Sequence, residues 1–586
     1  MKGGRGGSGF GVQAKKGKKI AFFKRREVLF ALLAFFLALL AYGRFFGIQL
    51  MEFDAVSKIV SHSQAGLQGF FGIFTQPEEH YLFFSRNYRP FETFLFWVIF
   101  LFNGMNFTAF HALSFVLHAA NAALVFFLAR KLLNDKGGFF ALIAAGLFAV
   151  QPVTMSSVLF VSRLHEPLVC FALLASLLCL MRFLDVKGRV FFALSLLFCA
   201  VGVFSKETGV LIPCVLLLYC IVFSREKKIA GRILRSIKLT LPFFAVAGAY
   251  LAAMFLVLGR IGGYTFAPQP FRSQLVISFL NYFFYPIDFL RNNFFQKAKP
   301  FLKTVPADAI ALILVASGAM FLLWFFSVKR KNRAAFFLLA WFFGFTLAFT
   351  AFGFMYSWYA YVPLVPFAIM LSMLLRSGWE KAAKSRASAA AAAAAGILFV
   401  SLFAVSPLFI NYRQPAIAGE ITQGTFSKAL EAAGPLPAGS TLYLLNLPRQ
   451  LAFSENGYWY GTFLLHGGSV QAMLDLRLPE KKFNAVELTD LVVTSAKMES
   501  ARLSFSLRGG CNFLLENRSP GIVNMTVAYK PLPNSGISLR RQTSRTSQSI
   551  ELRMREKECR QAVFMFFNGK TVQALRVDDA NRLVQA

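Results

Sequence analysis

The chain has 586 residues, 56% of them hydrophobic, and a formal net charge of +34 from 62 Lys and Arg against 28 Asp and Glu. Uncharged runs such as Val28–Tyr42 and Ala309–Phe326 recur through its first two-thirds; because about 20 apolar residues cross the roughly 30 Å hydrocarbon layer, a soluble protein is excluded. Nucleic acid is excluded as a partner too, since the cations are not interleaved with aromatics on one polar face but sit in short loops between apolar spans.

In chain order, residues 1–26 form a basic, Gly-rich tail without an acid, expected to be disordered and cytoplasmic. The apolar run after Arg26 is long and lacks a nearby small-residue cleavage site, so it reads as the first anchor of a membrane core, 27–410, rather than a signal peptide. Hydropathy places spans near 27–47, 108–130, 138–156, 166–183, 189–204, 208–224, 238–258, 307–327, 334–352, 357–375 and 388–410, about eleven crossings with a first outer loop over 48–107. On this count the basic loops Arg130-Lys131, Arg182–Arg189, Arg225–Lys238, Lys329–Arg333 and Arg376–Arg386 all fall inside, and the C-terminus falls outside. Phe91–Phe102 is short, and Leu275–Phe294 is broken by Pro286, Asp288 and Arg291; both read as helices on the outer interface, and counting both as crossings, to a total of about thirteen, moves several basic loops outside.

Beyond Asn411 the sequence turns mixed and polar, with alternating stretches such as Ser440–Leu447, Ala501–Leu507 and Ile522–Tyr529, so 411–586 is expected to be a small mixed or β-rich extracytoplasmic domain. Cys170, Cys179, Cys199, Cys214 and Cys220 accompany apolar spans as packing residues, whereas Cys511 and Cys559 in the outer domain could pair in an oxidising compartment. No Cys/His spacing resembles a zinc site, and whether a divalent metal is needed is open.

Polar residues punctuate the outer helix ends between Tyr88 and Glu207: Tyr88-Arg89-Pro90, His111, His118, Gln151-Pro152, Arg163 to Glu166, and Ser205-Lys206-Glu207. Ionisable groups at such positions are costly, and a repeated set of them points to a site. In that order they resemble the C-type (GT-C) glycosyltransferases, within them the membrane core of protein O-mannosyltransferases that carry tetratricopeptide repeats. The resemblance runs over Phe53-Asp54-Ala55, Tyr88-Arg89-Pro90-Phe91, Phe110-His111 through His118-Ala119-Ala120-Asn121 to Arg130-Lys131, Gln151-Pro152-Val153 through Arg163-Leu164-His165-Glu166, Ser205-Lys206-Glu207-Thr208-Gly209, and Ser357-Trp358-Tyr359-Ala360-Tyr361-Val362-Pro363. The chain departs from that pattern at Ala55, Gln151, Ser156 and Ser357-Trp358, and it has no tetratricopeptide repeats.

The resemblance implies a GT-C-like fold and an inverting transfer of a sugar from a polyprenyl-phosphate donor to a protein or glycan outside the cytoplasm, in a bacterial inner membrane or, in a eukaryote, the endoplasmic reticulum. Such a reaction needs a carboxylate for the acceptor proton and cations for the departing phosphate. Asp54 is the candidate base, and Glu166 the candidate for stabilising an oxocarbenium-like state or positioning the acceptor. Arg89 and Lys206 are the candidates for the phosphate, with Glu207, His111, Arg163, Tyr359 and Tyr361 in support. Plainer roles stand beside these: Glu166 also suits a helix start, Lys206 can snorkel, Arg89 can meet headgroups, His111 and His118 can pack helices, and the tyrosines can form an interfacial belt. A catalytically degenerate binding subunit, motivated by Ala55, Gln151 and Ser357, and a lipid-linked-sugar transporter are the alternatives.

Overall fold

A computed structural model describes residues 25–47, 55–56, 58–59, 66–80, 85–262, 333–351, 357–382, 390, 413–451, 462–463, 467–493, 500–520, 522–529, 536–544 and 546–586. Asp54, the expected span 307–327, most of 388–410 and the segment Leu275–Phe294 lie outside these residues.

The N-terminal two-thirds is helical, in the order α1 (Arg25–Gly43), α2 (Gly66–Thr75), a two-stranded ribbon of β1 (Glu78–His80) and β2 (Ser85–Asn87), α3 (Pro90–Asn103), α4 (Phe107–Leu132), α5 (Phe139–Val150), α6 (His165–Val186), α7 (Arg189–Val203), α8 (Ile212–Phe223), α9 (Ile229–Leu258), α10 (Arg333–Ala351) and α11 (Tyr361–Ala382). Five stretches among the described residues are long and apolar enough to cross a membrane: α1, α4, α6 with the turn before it, α9, and α11 with the turn before it. The shorter apolar helices α3, α5, α7, α8 and α10 accompany them, so the molecule is an integral membrane protein. At 14 residues α3 spans only about 21 Å, short of the hydrocarbon layer. Length alone does not set the number of crossings, because α5 is shorter still.

Small residues bring the helices together. Ala31, Ala34, Ala38 and Ala41 of α1 are buried at three- and four-residue spacing on the helix that packs against α4 and α5, while Leu29, Leu32, Leu33, Phe36 and Leu40 face outward. That division suits a lipid-facing helix, whose partners can approach only where side chains are short. Charges collect at both ends of the bundle. At one end Arg130 at the close of α4 meets Glu27 of α1 at 2.6 Å, Lys131 meets Asp185 of α6 at 2.5 Å, and Arg376 of α11 donates to the Leu133 carbonyl at 2.7 Å. Asp135 at the same end accepts from the first amides of α5, Gly138 N at 2.9 Å and Ala141 N at 3.0 Å, which offsets both the orphan donors and the helix dipole. The opposite end, where α6 begins and α7 closes, carries the site described below.

The C-terminal part opens with α12 (Arg413–Ala433) and builds three sheets around α13 (Gly467–Arg477). Its strands are β3 (Thr441–Leu445), β4 (Leu447–Leu451), β5 (Thr462–Phe463), β6 (Asn484–Glu487), β7 (Thr489–Val493), β8 (Leu503–Gly509), β9 (Asn512–Asn517), β10 (Val523–Val527), β11 (Ile537–Thr543), β12 (Gln548–Met554), β13 (Val563–Phe567), β14 (Val572–Val577) and β15 (Leu583–Gln585). A mixed sheet runs β15-β14-β13-β3-β6, with β3 parallel to both β13 and β6; the others run β10-β7-β4-β5 and, all antiparallel, β11-β12-β9-β8. The contiguous Val-Phe-Met-Phe-Phe of β13 is buried throughout, as a strand covered on both faces must be, while β12 alternates Ile550, Leu552 and Met554 inward. Phe513 and Phe505 of the antiparallel sheet meet Phe564 of the mixed sheet at ring separations of 4.8 and 5.5 Å and join the two layers. This part packs against the membrane helices through a cleft of about 320 Å³, where Asn106 and Phe107 at the start of α4 face Gln423 and Phe426 of α12 and Arg477 of α13.

Cys511 and Cys559 are joined, with Cα atoms 6.0 Å apart across 48 residues. Chain-entropy reasoning for a loop of that length gives about 4 kcal/mol. Reduction, or Cys559→Ser, should therefore lower the denaturation midpoint by an amount of that order, and a mass shift on alkylation that appears only after reduction would verify the bond.

Candidate active site

The site is assembled by local backbone geometry that brings three short motifs together. Pro90 occupies the first position of α3, where its missing N–H costs nothing, and Arg89 stands just before the helix with a non-helical backbone, φ −134° and ψ 59°. The next amide, Phe91 N, donates to the Phe204 carbonyl at 3.1 Å, so the entry to α3 is fastened to the close of α7. From there the chain turns through Ser205-Lys206-Glu207. The turn can lie this close because of Gly209, where a Cβ would come 2.2 Å from the Gly202 carbonyl oxygen. Arg89 and Glu207 thereby meet: Nε lies 3.2 and 3.3 Å from the two carboxylate oxygens and Nη2 lies 3.0 Å from Oε2. Arg89 is 5% exposed.

Lys206 points to the start of α6 and pairs with Glu166, both buried. Its ammonium also stands 4.4 Å from the centre of the Tyr359 ring, just before α11. Burial depresses Lys206 below the ordinary lysine range, with Glu166 opposing. Glu92, one turn into α3, is completely buried and bridges two elements. Its Oε2 takes the Lys58 ammonium at 3.0 Å; its Oε1 takes the His165 backbone N–H at 3.1 Å and lies 2.9 Å from His165 Nδ1. Lys58 also reaches Glu78 at 3.5 Å and donates to the Ser162 carbonyl at 2.9 Å. Burial works against its charge, but Glu78 and Glu92 outweigh that and hold Lys58 above its usual range.

Thus Arg89, Glu166, Lys206 and Glu207, distant in sequence, converge at one end of the bundle, with Tyr359 beside them. Arg163 borders the group: Nη1 donates to the Ser156 carbonyl at 2.9 Å, and its guanidinium stacks 3.7 Å from the Trp358 ring and 4.3 Å from Phe160. Tyr361 belongs to a separate buried layer. His118 Nε2 donates to the Ala149 carbonyl at 3.1 Å, which leaves Nδ1 to accept from the Tyr361 hydroxyl at 2.7 Å, and Asn121 ties that hydroxyl and the Pro167 carbonyl together. His111 packs on Phe115, and neither of its ring nitrogens has a hydrogen-bond partner. Asp54 lies outside the described residues.

The sequence reading missed Lys58, Glu92 and His165 and assigned no task to Glu78. One signal was available, since Glu92 is the only acid in the otherwise apolar stretch from Pro90 to Phe102. Burying this many charges is expensive even when they are paired, and such clusters are retained preferentially where they serve chemistry. Among the described residues no group of three or more His, Cys, Asp or Glu is arranged to hold a metal ion.

Residues 89–259, which carry Arg89, Glu92, His165, Glu166, Lys206 and Glu207, match the model of the dolichyl-phosphate-mannose-protein mannosyltransferase family. That segment makes up less than a third of the chain. No curated protein matches the chain in sequence. Among solved structures, ArnT from Cupriavidus metallidurans bound to undecaprenyl phosphate is similar at 11% identity and a TM-score of 0.38, over 90% of this chain and 97% of that one. The oligosaccharyltransferase AglB from Archaeoglobus fulgidus, in complex with an inhibitory peptide and a dolichol-phosphate, is similar at 11% identity and a TM-score of 0.39, over 88% and 76%.

Proposed function

We propose that this protein is an inverting membrane glycosyltransferase that moves a sugar from a polyprenyl-phosphate donor to a protein or glycan on the extracytoplasmic side. The observation that carries the reading is the convergence of Arg89 and Lys206 with the carboxylates of Glu207 and Glu166 at one end of the bundle, within the segment that matches the mannosyltransferase family model. A polyprenyl tail stays in the bilayer while its phosphate lies at the surface, where a guanidinium and an ammonium supply the two kinds of grip such a group needs. The cations compensate the charge that develops on the phosphate as its bond to the anomeric carbon breaks. Glu166 faces the positive charge that builds on the sugar, and Asp54 takes the proton of the attacking hydroxyl.

Two features support the extracytoplasmic assignment. The ends of α4 and α11 away from the site carry Arg130, Lys131 and Arg376, as cytoplasmic ends do. The sheet-rich part, which meets the start of α4, holds a disulfide, a bond that persists in oxidising compartments.

The test is transfer of labelled sugar from a polyprenyl-phosphate donor by the purified protein in liposomes, with mass spectrometry of lipid that copurifies. Asp54→Asn should lower transfer by about 10²–10⁴-fold with the fold intact; unchanged turnover would remove Asp54 as the base. Donor binding by the wild type without any turnover would favour the degenerate binding subunit to which Ala55, Gln151 and Ser357 point.

A further inference from the structure

The chain of charges from Lys58 to Lys206 is closed at both ends and open in the middle. Glu92 accepts at both oxygens, Oε2 from Lys58 and Oε1 from the His165 backbone N–H, so it stands to His165 as an acceptor. The 2.9 Å contact with His165 Nδ1 therefore requires the proton on Nδ1, which leaves Nε2 with its lone pair. Nε2 lies 3.9 Å from Glu166 Oε1, too far for a hydrogen bond, and has no other partner among the described residues. Glu166 Oε1 is taken by Lys206, but its Oε2 is buried without a hydrogen-bond partner among the described residues. Two neighbouring acceptors thus lack a donor among the described residues, and of the two Glu166 Oε2 is the fully buried one. An unsatisfied buried acceptor is costly, and a ligand that satisfies Glu166 Oε2 and also engages Nε2 must bring O–H or N–H groups.

We propose that Nε2 of His165 and Oε2 of Glu166 are the sugar-reading atoms of the site, accepting hydrogen bonds from the ring hydroxyls nearest the anomeric carbon, at C2 and C3, of the lipid-linked donor. Glu92 acts as a positioning residue that holds the imidazole in its accepting tautomer. This deepens the transferase reading and rests on it. The phosphate itself is ionised and supplies no donor, but the anomeric carbon is joined to it through a single oxygen. A phosphate on Lys206, which already touches Glu166, brings the nearest ring hydroxyls against Glu166 and His165. The ligand class is a pyranose with a free hydroxyl beside its anomeric carbon. A site built to bond a substrate hydroxyl rejects the analogue without it far more strongly than a merely apolar pocket does.

Nitrogen-15 NMR of histidine in the full-length protein, with the His165 signal identified by its loss in His165→Phe, should show the Nδ1–H tautomer; an Nε2–H signal overturns the proposal. Transfer is then measured with mannosyl-phosphoryl polyprenol and its 2-deoxy and 3-deoxy forms. Wild type should prefer the parent to one deoxy donor by about 100-fold or more in kcat/KM. His165→Phe and Glu166→Gln should lose that factor on the parent and little on that deoxy donor. Equal losses on both donors, with the preference unchanged, would mean that the residues serve only the fold and would overturn the assignment. If wild type transfers from none of the three, the transferase reading fails by itself. The acceptor pair is then judged by the His165 resonance, which shifts on adding mannosyl-phosphoryl polyprenol if the pair reads the sugar and stays fixed if it does not.

Discussion

Lys206→Met will abolish sugar transfer and lower the thermal midpoint, and the double variant Lys206→Met/Glu166→Met will regain the midpoint without regaining transfer. Lys206 and Glu166 are both buried, and the pair joins the turn before α8 to the start of α6. Removing one partner of such a pair leaves an uncompensated charge and costs about 3–5 kcal/mol, whereas replacing both with apolar side chains of similar volume is often neutral. Stability therefore depends on the two residues together, whereas of the two only the ammonium grips the phosphate. Thermal unfolding in detergent and transfer from a polyprenyl-phosphate sugar, measured on the same preparations, separate these roles. Recovery of transfer in the double variant would reduce the pair to a structural one.

Arg89→Lys will reduce transfer by about 10²–10³-fold, the usual loss when one aimed donor is removed from developing negative charge, while changing the thermal midpoint little. The guanidinium now spans both oxygens of Glu207 through Nε and Nη2, and an ammonium on a flexible stem cannot reproduce that fork. Glu207 keeps 22% of its side-chain surface, so water can solvate it when the fork is lost, which limits the cost to the fold. The loss should appear with every polyprenyl-phosphate donor, because the phosphate is common to all of them. A loss confined to one sugar would instead make Arg89 a sugar contact.

Apolar runs spaced by basic loops suffice to read the membrane core, because hydrocarbon thickness and positive-inside bias act on local sequence. Of the expected spans within the described residues, each coincides with a helix. Strands β3 and β10 fall within the alternating stretches named from the sequence and β8 overlaps the third, running two residues past it, since alternation is also a local property. Arg89, Glu166, Lys206 and Glu207 stood out for a related reason, as charged residues beside long apolar runs.

Partnership could not be read in the same way. Lys58, Glu92 and His165 are 34 and 73 residues apart along the chain, and although Glu92 stands out as the one acid of a short apolar helix, no local pattern names the ammonium and imidazole that it meets. Phe91–Phe102, with Glu92 in it, read as an interfacial helix; the fold buries its first turn while leaving Leu101 and Phe102 exposed. His165 stood in the sequence only as a member of the Arg163 to Glu166 motif, yet it opens α6 with its backbone and ring both on Glu92. Cys511 and Cys559 could be named from composition and compartment, but their proximity required β9 and the turn after β12 to pack together. The sequence by itself determined that this is a helical membrane protein with a sheet-rich C-terminal part, because those properties follow from periodicity and solvent preference. Only the tertiary structure decided which carboxylate neutralises which cation and which acceptors are left over, because a buried charge selects its partner through space, across distances that sequence spacing does not encode.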